Sequence, residues 1–473
     1  MTEFRTEKDT MGDVKVPKDA YYGAQTQRAV ENFPVSGQRL PRYFIAAIAH
    51  LKGACAEVNL ALKPQRMTPE LCKMIQDACA KVADGGLDAE FPIDVFQTGS
   101  GTSTNMNANE VIANLCNEKA GGERGVYKPI HPNDHVNMGQ SSNDIIPTTS
   151  HLAALLAIHR DLKPALDQLA TSLEKKAKEF DDIVKLGRTH LMDAVPVRLG
   201  QEFGGYAMQV RKGWEQIDRA SKGLEEMAIG GTATGTGINS HPEFAKRVCA
   251  LLEKKLGIPV REARNHFEAQ GGRDDMAMAS GALKGLACSL TKIANDIRWM
   301  GSGPFGGLAE LRIPDLQPGS SIMPGKVNPV MSEMLTQVAA QVIGNDAAIT
   351  IGAQGGNFEL NVMIPVMIAN LLQSIAILAN GARLFAVRCV DDLAPNREKC
   401  AELLEKSPIS ATALNPIIGY DRAAKLIKEA LAKKASVKQL AIEQGLITKE
   451  QADKAFDFRK MTEPGETAGG SGG

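Results

Sequence analysis

Apolar residues recur every three or four positions through the middle of the chain, with little of the alternation that marks half-buried strands. In the stretch 281–300, Leu283, Leu286, Leu290 and Ile293 fall on one side of a helix. From Val330 onward, Met331, Met334, Leu335, Val338, Val342 and Ile343 do the same. Between Thr148 and Phe180 the helical spacing continues over a length unusual for a globular protein. Pro164, which has no amide N–H and crowds the carbonyl four residues back, is expected to kink or divide that segment. Several long amphipathic segments in succession imply a bundle of long helices, so the fold class is mainly all-α.

Glycine-rich breaks divide the chain into three. Residues 1–139 end in the polar, loop-rich stretches 97–109 and 128–143. Residues 140–395 hold the long helical segments. Residues 396–473 hold shorter amphipathic helices such as "YDRAAKLIKEALAKKA", followed by "GETAGGSGG", a flexible tail or an expression remnant. No solenoid repeat is present.

Composition narrows the function classes. The 54 basic and 55 acidic residues leave a net charge of -1, which gives no electrostatic handle on nucleic acid or an anionic membrane. The uninterrupted apolar runs are too short to span a bilayer. The first residues, "MTEFRTEKDTMGDVKV", carry alternating charges and no apolar core, so a secretory signal is not expected and the protein is placed in the cytoplasm. The eight cysteines form no CxxC pair and mostly lie in helical patterns, where they read as small buried hydrophobes. No cofactor and no metal are expected.

Four polar clusters interrupt the helical background: "TGSGTSTNMN" (98–107), "HPNDHVNMGQSSND" (131–144), "GRTHLMDAVP" (187–196) and "LQPGSSIMPGKVNPVMSE" (316–333). Each mixes Ser, Thr, Asn, Lys or His with glycine or proline, the composition of loops that offer hydrogen bonds to a small ligand. Singly, each has a plainer explanation. "HPNDHVN" could cap a helix, His131 and His135 could be solvated or could hold a metal at i, i+4, and His190 alone reads as a packed, hydrogen-bonded histidine. "GGTATGTG" (230–237) has glycines at suggestive spacing but neither follows a strand nor precedes an acidic residue at the right distance, so a structural turn is expected there.

All four clusters in order resemble the fumarase/aspartase superfamily, and within it the class II fumarases. "GSSIMPGKVNP" (319–329) resembles the superfamily's signature loop, and the likeness runs from "YYGAQTQRAV" to "ALNPIIGYDRAA". "TGSGTSTNMN", "HPND", "QSSND", "GRTHL" and "GNFELNV" (356–362) are similar to fumarases. Aspartases typically carry Thr where Ser142 stands and Gln-Leu where Asn357 and Phe358 stand.

The resemblance implies a three-domain fold whose central long-helix bundle forms the core of a homotetramer, with each active site assembled from three chains. It implies reversible hydration of a small dicarboxylate, fumarate, to L-malate. Removing a proton beside a carboxylate leaves two negative charges on that group, which preorganised donors must stabilise, each worth about 3 to 4 kcal/mol. On the same basis Ser320 is the base at carbon 3, His190 handles the proton of the water at carbon 2, and Glu333 orients His190. The substrate clamp is Ser100, Gly101, Thr102, Ser141, Ser142, Asn143, Thr189, Ser321, Lys326, Val327 and Asn328. A second dicarboxylate site, the B site, maps to Lys128, His131, Pro132, Asn133 and Asp134, with Lys128 where an arginine often stands. Two alternatives are an aspartate ammonia-lyase and a catalytically inactive structural relative.

Overall fold

The computed structural model describes residues 3–433 and 435–465, and the chain is mainly helical. Two compact units form from interleaved stretches: Met1–Pro164, Gly213–Ala287 and Val338–Asn380 make the first, and Ala165–Lys212, Cys288–Gln337 and Gly381–Gly473 the second. The longest helices among the described residues are Leu199–Ser221, Asp274–Met300, Val330–Ala353 and Ile364–Arg388. Leu283, Leu286, Leu290 and Ile293 are all fully buried, as their spacing predicts. On Val330–Ala353 the buried line runs Leu335, Ala339, Val342, Asp346, Ile349. Ile343, one position off that line, is 43 % exposed, contrary to expectation.

In the first unit, helix Arg42–Leu62 packs against Pro69–Ala83, Ser142–Ala157 and Phe244–Leu256. Its small residues Ala47, Ala49, Gly53, Ala54 and Ala56 let its neighbours come close, and it is buried on every side, including Lys52 and Asn59. Helix Thr102–Lys119 lies against Ala24–Asn32 and Pro69–Ala83. The segment expected to break at Pro164 does break, one turn early. Ser142–Ala157 opens into the wide π turn Ile158–Leu162, and the helix resumes at Lys163–Glu179. The carbonyl that Pro164 would crowd, that of Arg160, lies inside this wide turn, so the distortion absorbs both the clash and the missing donor.

The N-terminal stretch forms an antiparallel hairpin, Phe4–Asp9 with Gly12–Pro17, which buries Val14 and Val16 from alternate positions. Two helical spans, Arg42–Leu62 and Ile364–Asp392, are long and apolar enough to cross a membrane by length and composition. The expectation drawn from uninterrupted runs overlooked them, because isolated polar residues break each run while the mean hydropathy stays high. In each case 61 % of the apolar window is buried within the protein, as in a core helix.

The second unit contains the hairpin Val184–Thr189/Met192–Arg198, the long loop 301–329 between two helices, and a C-terminal cluster of short helices. That cluster closes over Leu414, Leu426, Val437, Leu440, Ile447 and Phe456. Phe180 and Phe203 meet edge to face at 5.2 Å behind the hairpin.

Candidate active site

The loop around Ser320 is held by its own backbone. Gly319 N donates to Lys326 O at 2.8 Å, and Asn328 Nδ2 donates to Gly319 O at 2.8 Å. A Cβ on Gly319 would lie 2.5 Å from Lys326 O, so this close approach requires glycine. Gly325, at φ +79°, turns the chain back. Within this fold the amides of Ile322 and Met323 both point at Ser320 Oγ, at 3.3 and 3.1 Å. Two N–H dipoles aimed at one hydroxyl oxygen favour its carrying negative charge. Ser320, Gly325, Lys326 and Val327 line a cavity of about 380 Å³. Ser321, Lys326 and Val327 are exposed, and Asn328 is half-buried. Glu333 follows in the first turn of Val330–Ala353. Among the described residues the Lys326 ammonium and the Glu333 carboxylate have no partner in the chain.

Thr189 and His190 sit at the tip of the second unit's hairpin. Thr189 pairs with Met192, leaving His190 and Leu191 as the two turn residues, both at positive φ, 57° and 62°. That is the backbone of a type I′ turn, usually filled by Asn and Gly, and holding His and Leu in it needs a rigid base. A buried ion cluster supplies it. Arg188 grips the fully buried Glu310 through two hydrogen bonds of 2.9 Å. Lys185 Nζ lies 3.3 Å from Glu310 and 3.0 Å from Glu202. Burial alone would lower the Arg188 pKa, but the hydrogen bond and charge of Glu310 outweigh it and hold the guanidinium above its ordinary value. Burial pushes Glu202 up, against the pull of Lys185. The His190 imidazole is exposed, and no hydrogen bond or ion pair joins it to Glu333 within the chain, among the described residues.

In the first unit two helix N-termini stand side by side. Gly101, at φ 72°, caps Thr102–Lys119 without a side chain, and Ser100 Oγ lies 2.8 Å from Thr102 Oγ1. Ser141 caps Ser142–Ala157 in a reciprocal box with Asp144. Asn105 Nδ2 reaches across to Ser142 Oγ at 3.1 Å, and a Cβ on Gly101 would touch Ile146 at 2.8 Å. Orphan N–H groups at both ends suit a carboxylate. Asn143 Nδ2 donates to Ala233 O at 2.7 Å. Asp144 accepts from Gly230 and Thr232 N–H at 3.1 and 2.9 Å, so the glycine-rich turn after 230 is tied to this helix start. That turn does follow a strand, the two-residue Glu226–Met227, too short to be visible in the sequence. Burial raises the Asp144 pKa to about 6, with the amides of Ser141, Thr232 and Gly230 opposing it.

The stretch Lys128–Asp134 lies apart from this pair of helix ends in sequence and forms its own cap. His131 Nδ1 accepts from Asp134 N at 3.3 Å, and His131 N donates to His135 Nδ1 at 2.9 Å. Pro132 is buried, while Lys128, Asn133 and Asp134 are exposed.

The comparisons with known proteins agree on the family. A family model described as Lyase matches residues 12–344, and one described as Fumarase C C-terminus matches residues 411–463. The class II fumarate hydratase of Corynebacterium glutamicum is 55 % identical over 465 residues, covering 97 % of this chain and 96 % of its own. The chain belongs to the class II fumarases. The corresponding protein of Mycobacterium tuberculosis is 54 % identical over 463 residues, covering 97 % of this chain and 96 % of its own. The crystal structure of class II fumarase from Schistosoma mansoni superposes with a TM-score of 0.93 at 38 % identity, over 97 % of this chain and 99 % of its own. Membership makes the protein a lyase and brings the mainly α fold with it. Sequence reasoning named the tips of these loops and missed what supports them: Arg188, Glu310, Lys185, Asp144, Asn105 and Lys52. Arg188 was within reach, lying inside the quoted "GRTHL", but its partner lies 122 residues further on.

Proposed function

We propose that the protein reversibly hydrates fumarate to L-malate, in keeping with relatives named class II fumarate hydratase, with Ser320 as the base at carbon 3. The observation that carries this is the pair of amides, Ile322 and Met323, aimed at Ser320 Oγ. An unassisted serine hydroxyl is far too weak an acid to act as a base near neutrality, and two inward N–H dipoles with Lys326 at the loop's edge are the assistance it needs. His190, exposed at a rigid tip, gives and takes the proton of water at carbon 2, and Glu333 orients it. Among the described residues no hydrogen bond or ion pair joins the two within one chain, and the proposal assigns the pair to different chains of a homotetramer.

The clamp is Ser100, Gly101 and Thr102 with Ser141, Ser142 and Asn143 from the paired helix ends, joined by Thr189, Ser321, Lys326, Val327 and Asn328. Lys128 and His131–Asp134 form the B site for a second dicarboxylate. Exposed apolar residues on the long helices support the tetramer: Met208, Met278, Ile343, Ile351 and Leu384 are each more than 40 % exposed. The same proposal places the protein in the cytoplasm, in the citric acid cycle, with no cofactor, and divides it in chain order at 139 and 395.

Following the ultraviolet absorbance of the fumarate double bond with L-malate as substrate tests the reaction, and L-aspartate in a parallel cuvette tests the ammonia-lyase alternative. Fumarate is expected from malate alone. Fumarate from aspartate, or from neither, would overturn the proposal.

A further inference from the structure

Lys52 lies mid-way along helix Arg42–Leu62, with no side-chain surface open to solvent. A buried ammonium is disfavoured unless it is hydrogen-bonded. Its Nζ donates to Asn137 Oδ1 and to Gln140 Oε1, each at 2.9 Å. Both acceptors belong to the turn that runs directly into Ser141.

An ammonium only donates, so it fixes both amides with oxygen inward and nitrogen outward. Gln140 Nε2 then donates to Val136 O and Met138 O at 3.1 and 3.2 Å, and Asn137 Nδ2 to Gln140 O at 3.2 Å. Asn105 Nδ2 donates to Asn137 Oδ1 at 3.2 Å and to Ser142 Oγ at 3.1 Å. The direction of every amide in this chain of hydrogen bonds is therefore set from the buried end.

We propose that Lys52 is a positioning residue of the substrate site: a buried cation that fixes the Asn137–Gln140 turn and, through Asn105, the Ser142 hydroxyl, and whose charge adds to the attraction for a bound dicarboxylate dianion. This rests on the assignment of Ser141–Asn143 to dicarboxylate binding. The charge is also conditional. Burial pulls the Lys52 pKa down to about 7. The groups facing it are Asp144 on Ser142–Ala157, Cys55 on its own helix and Cys79 on Pro69–Ala83. Cys249 on Phe244–Leu256 faces Cys55. The three thiols are pushed up by burial and stay neutral, and Asp144 titrates at about 6. Dianion affinity therefore falls as pH rises through neutrality and the Lys52 charge is lost.

The test compares the wild-type protein with Lys52→Met. Steady-state kinetics give KM and kcat for fumarate, and calorimetry gives the affinity for succinate, an unreactive four-carbon dicarboxylate, on both sides of neutrality. Lys52→Met is expected to raise KM about tenfold or more with a smaller change in kcat, and to abolish the wild-type decline of succinate affinity with pH. A merely structural lysine would lower thermal stability but leave KM and the pH profile in place, and that result overturns the inference. If Lys52→Met does not fold, a wild-type succinate affinity that is flat through neutrality overturns it equally. A wild-type protein that neither hydrates fumarate nor binds succinate would overturn the functional assignment itself.

Discussion

Removing both partners of the Arg188–Glu310 pair should destabilise the protein about as much as removing either one alone, rather than twice as much. Arg188→Met leaves Glu310, fully buried, without two hydrogen bonds of 2.9 Å and with only Lys185 at 3.3 Å. Uncompensated buried charges of this kind cost about 3 to 5 kcal/mol, and the remaining lysine puts the expected loss near 3 kcal/mol. Glu310→Leu leaves Arg188 and Lys185 facing each other. Arg188 retains 17 % exposure and Lys185 keeps Glu202, so the loss is about the same. The double variant places an apolar pair in the same volume and should cost about 3 kcal/mol rather than about 6, a coupling of roughly 3 kcal/mol. Urea unfolding of the three variants and the wild type at one protein concentration, followed by helical circular dichroism, measures the cycle. Activity should part company with stability: the double variant is no less stable than either single variant, yet its Thr189–His190 turn has lost its anchor entirely, so hydration stays at least about tenfold slow. Additive losses, with coupling under about 0.5 kcal/mol, would refute the view that this cluster is a coupled support.

Ser320→Ala is expected to lower kcat by about a thousandfold or more while circular dichroism and the assembly state stay unchanged, because the half-exposed hydroxyl supports chemistry rather than packing. Turnover within a few fold of wild type would remove it from the base role. Burial pulls the His151 pKa down to about 3, so the folded state refuses a proton that the unfolded chain accepts. Its contribution is complete above the unfolded value near 6.5 and is lost as pH falls towards 3, on the order of 5 kcal/mol in all. His151→Gln should flatten the acid limb of a pH–stability curve, and an unchanged limb would contradict this. Prolonged treatment with EDTA is expected to leave the hydration rate unchanged; loss of activity restored by a divalent metal ion would overturn the metal-free mechanism.

The long helices were legible because a single period governs them: Leu283, Leu286, Leu290 and Ile293 are buried by spacing alone. The loops of the candidate site were legible because glycine and polar residues cluster in them, and Gly319 is required by a close backbone approach. What escaped was tertiary. Ile343 falls on the apolar side in the sequence, but which edge of that side is covered within one chain depends on its neighbours. Glu310 and Arg188 are ordinary charged residues until the fold brings them together, and no local pattern marks either. Lys52 left a faint trace, a lone lysine in "AHLKGACAEV", a stretch made mostly of apolar or small residues. The N-terminal hairpin hid behind its charges, although the alternating valines of "DVKVP" carried its period.

Mixing Ser320→Ala and His190→Asn variants tests whether one site draws Ser320 and His190 from different chains; among the described residues no hydrogen bond or ion pair joins His190 to Glu333, which follows the Ser320 loop, within the chain. Ser320→Ala and His190→Asn chains, unfolded and refolded together in equal amounts, should give mixed tetramers by native mass spectrometry. Each required residue is then intact in half the chains, so random assembly should restore about a quarter of wild-type activity. Mixed tetramers whose activity stays at the level of the separate variants would show that a single chain supplies both residues, and the shared site would be wrong.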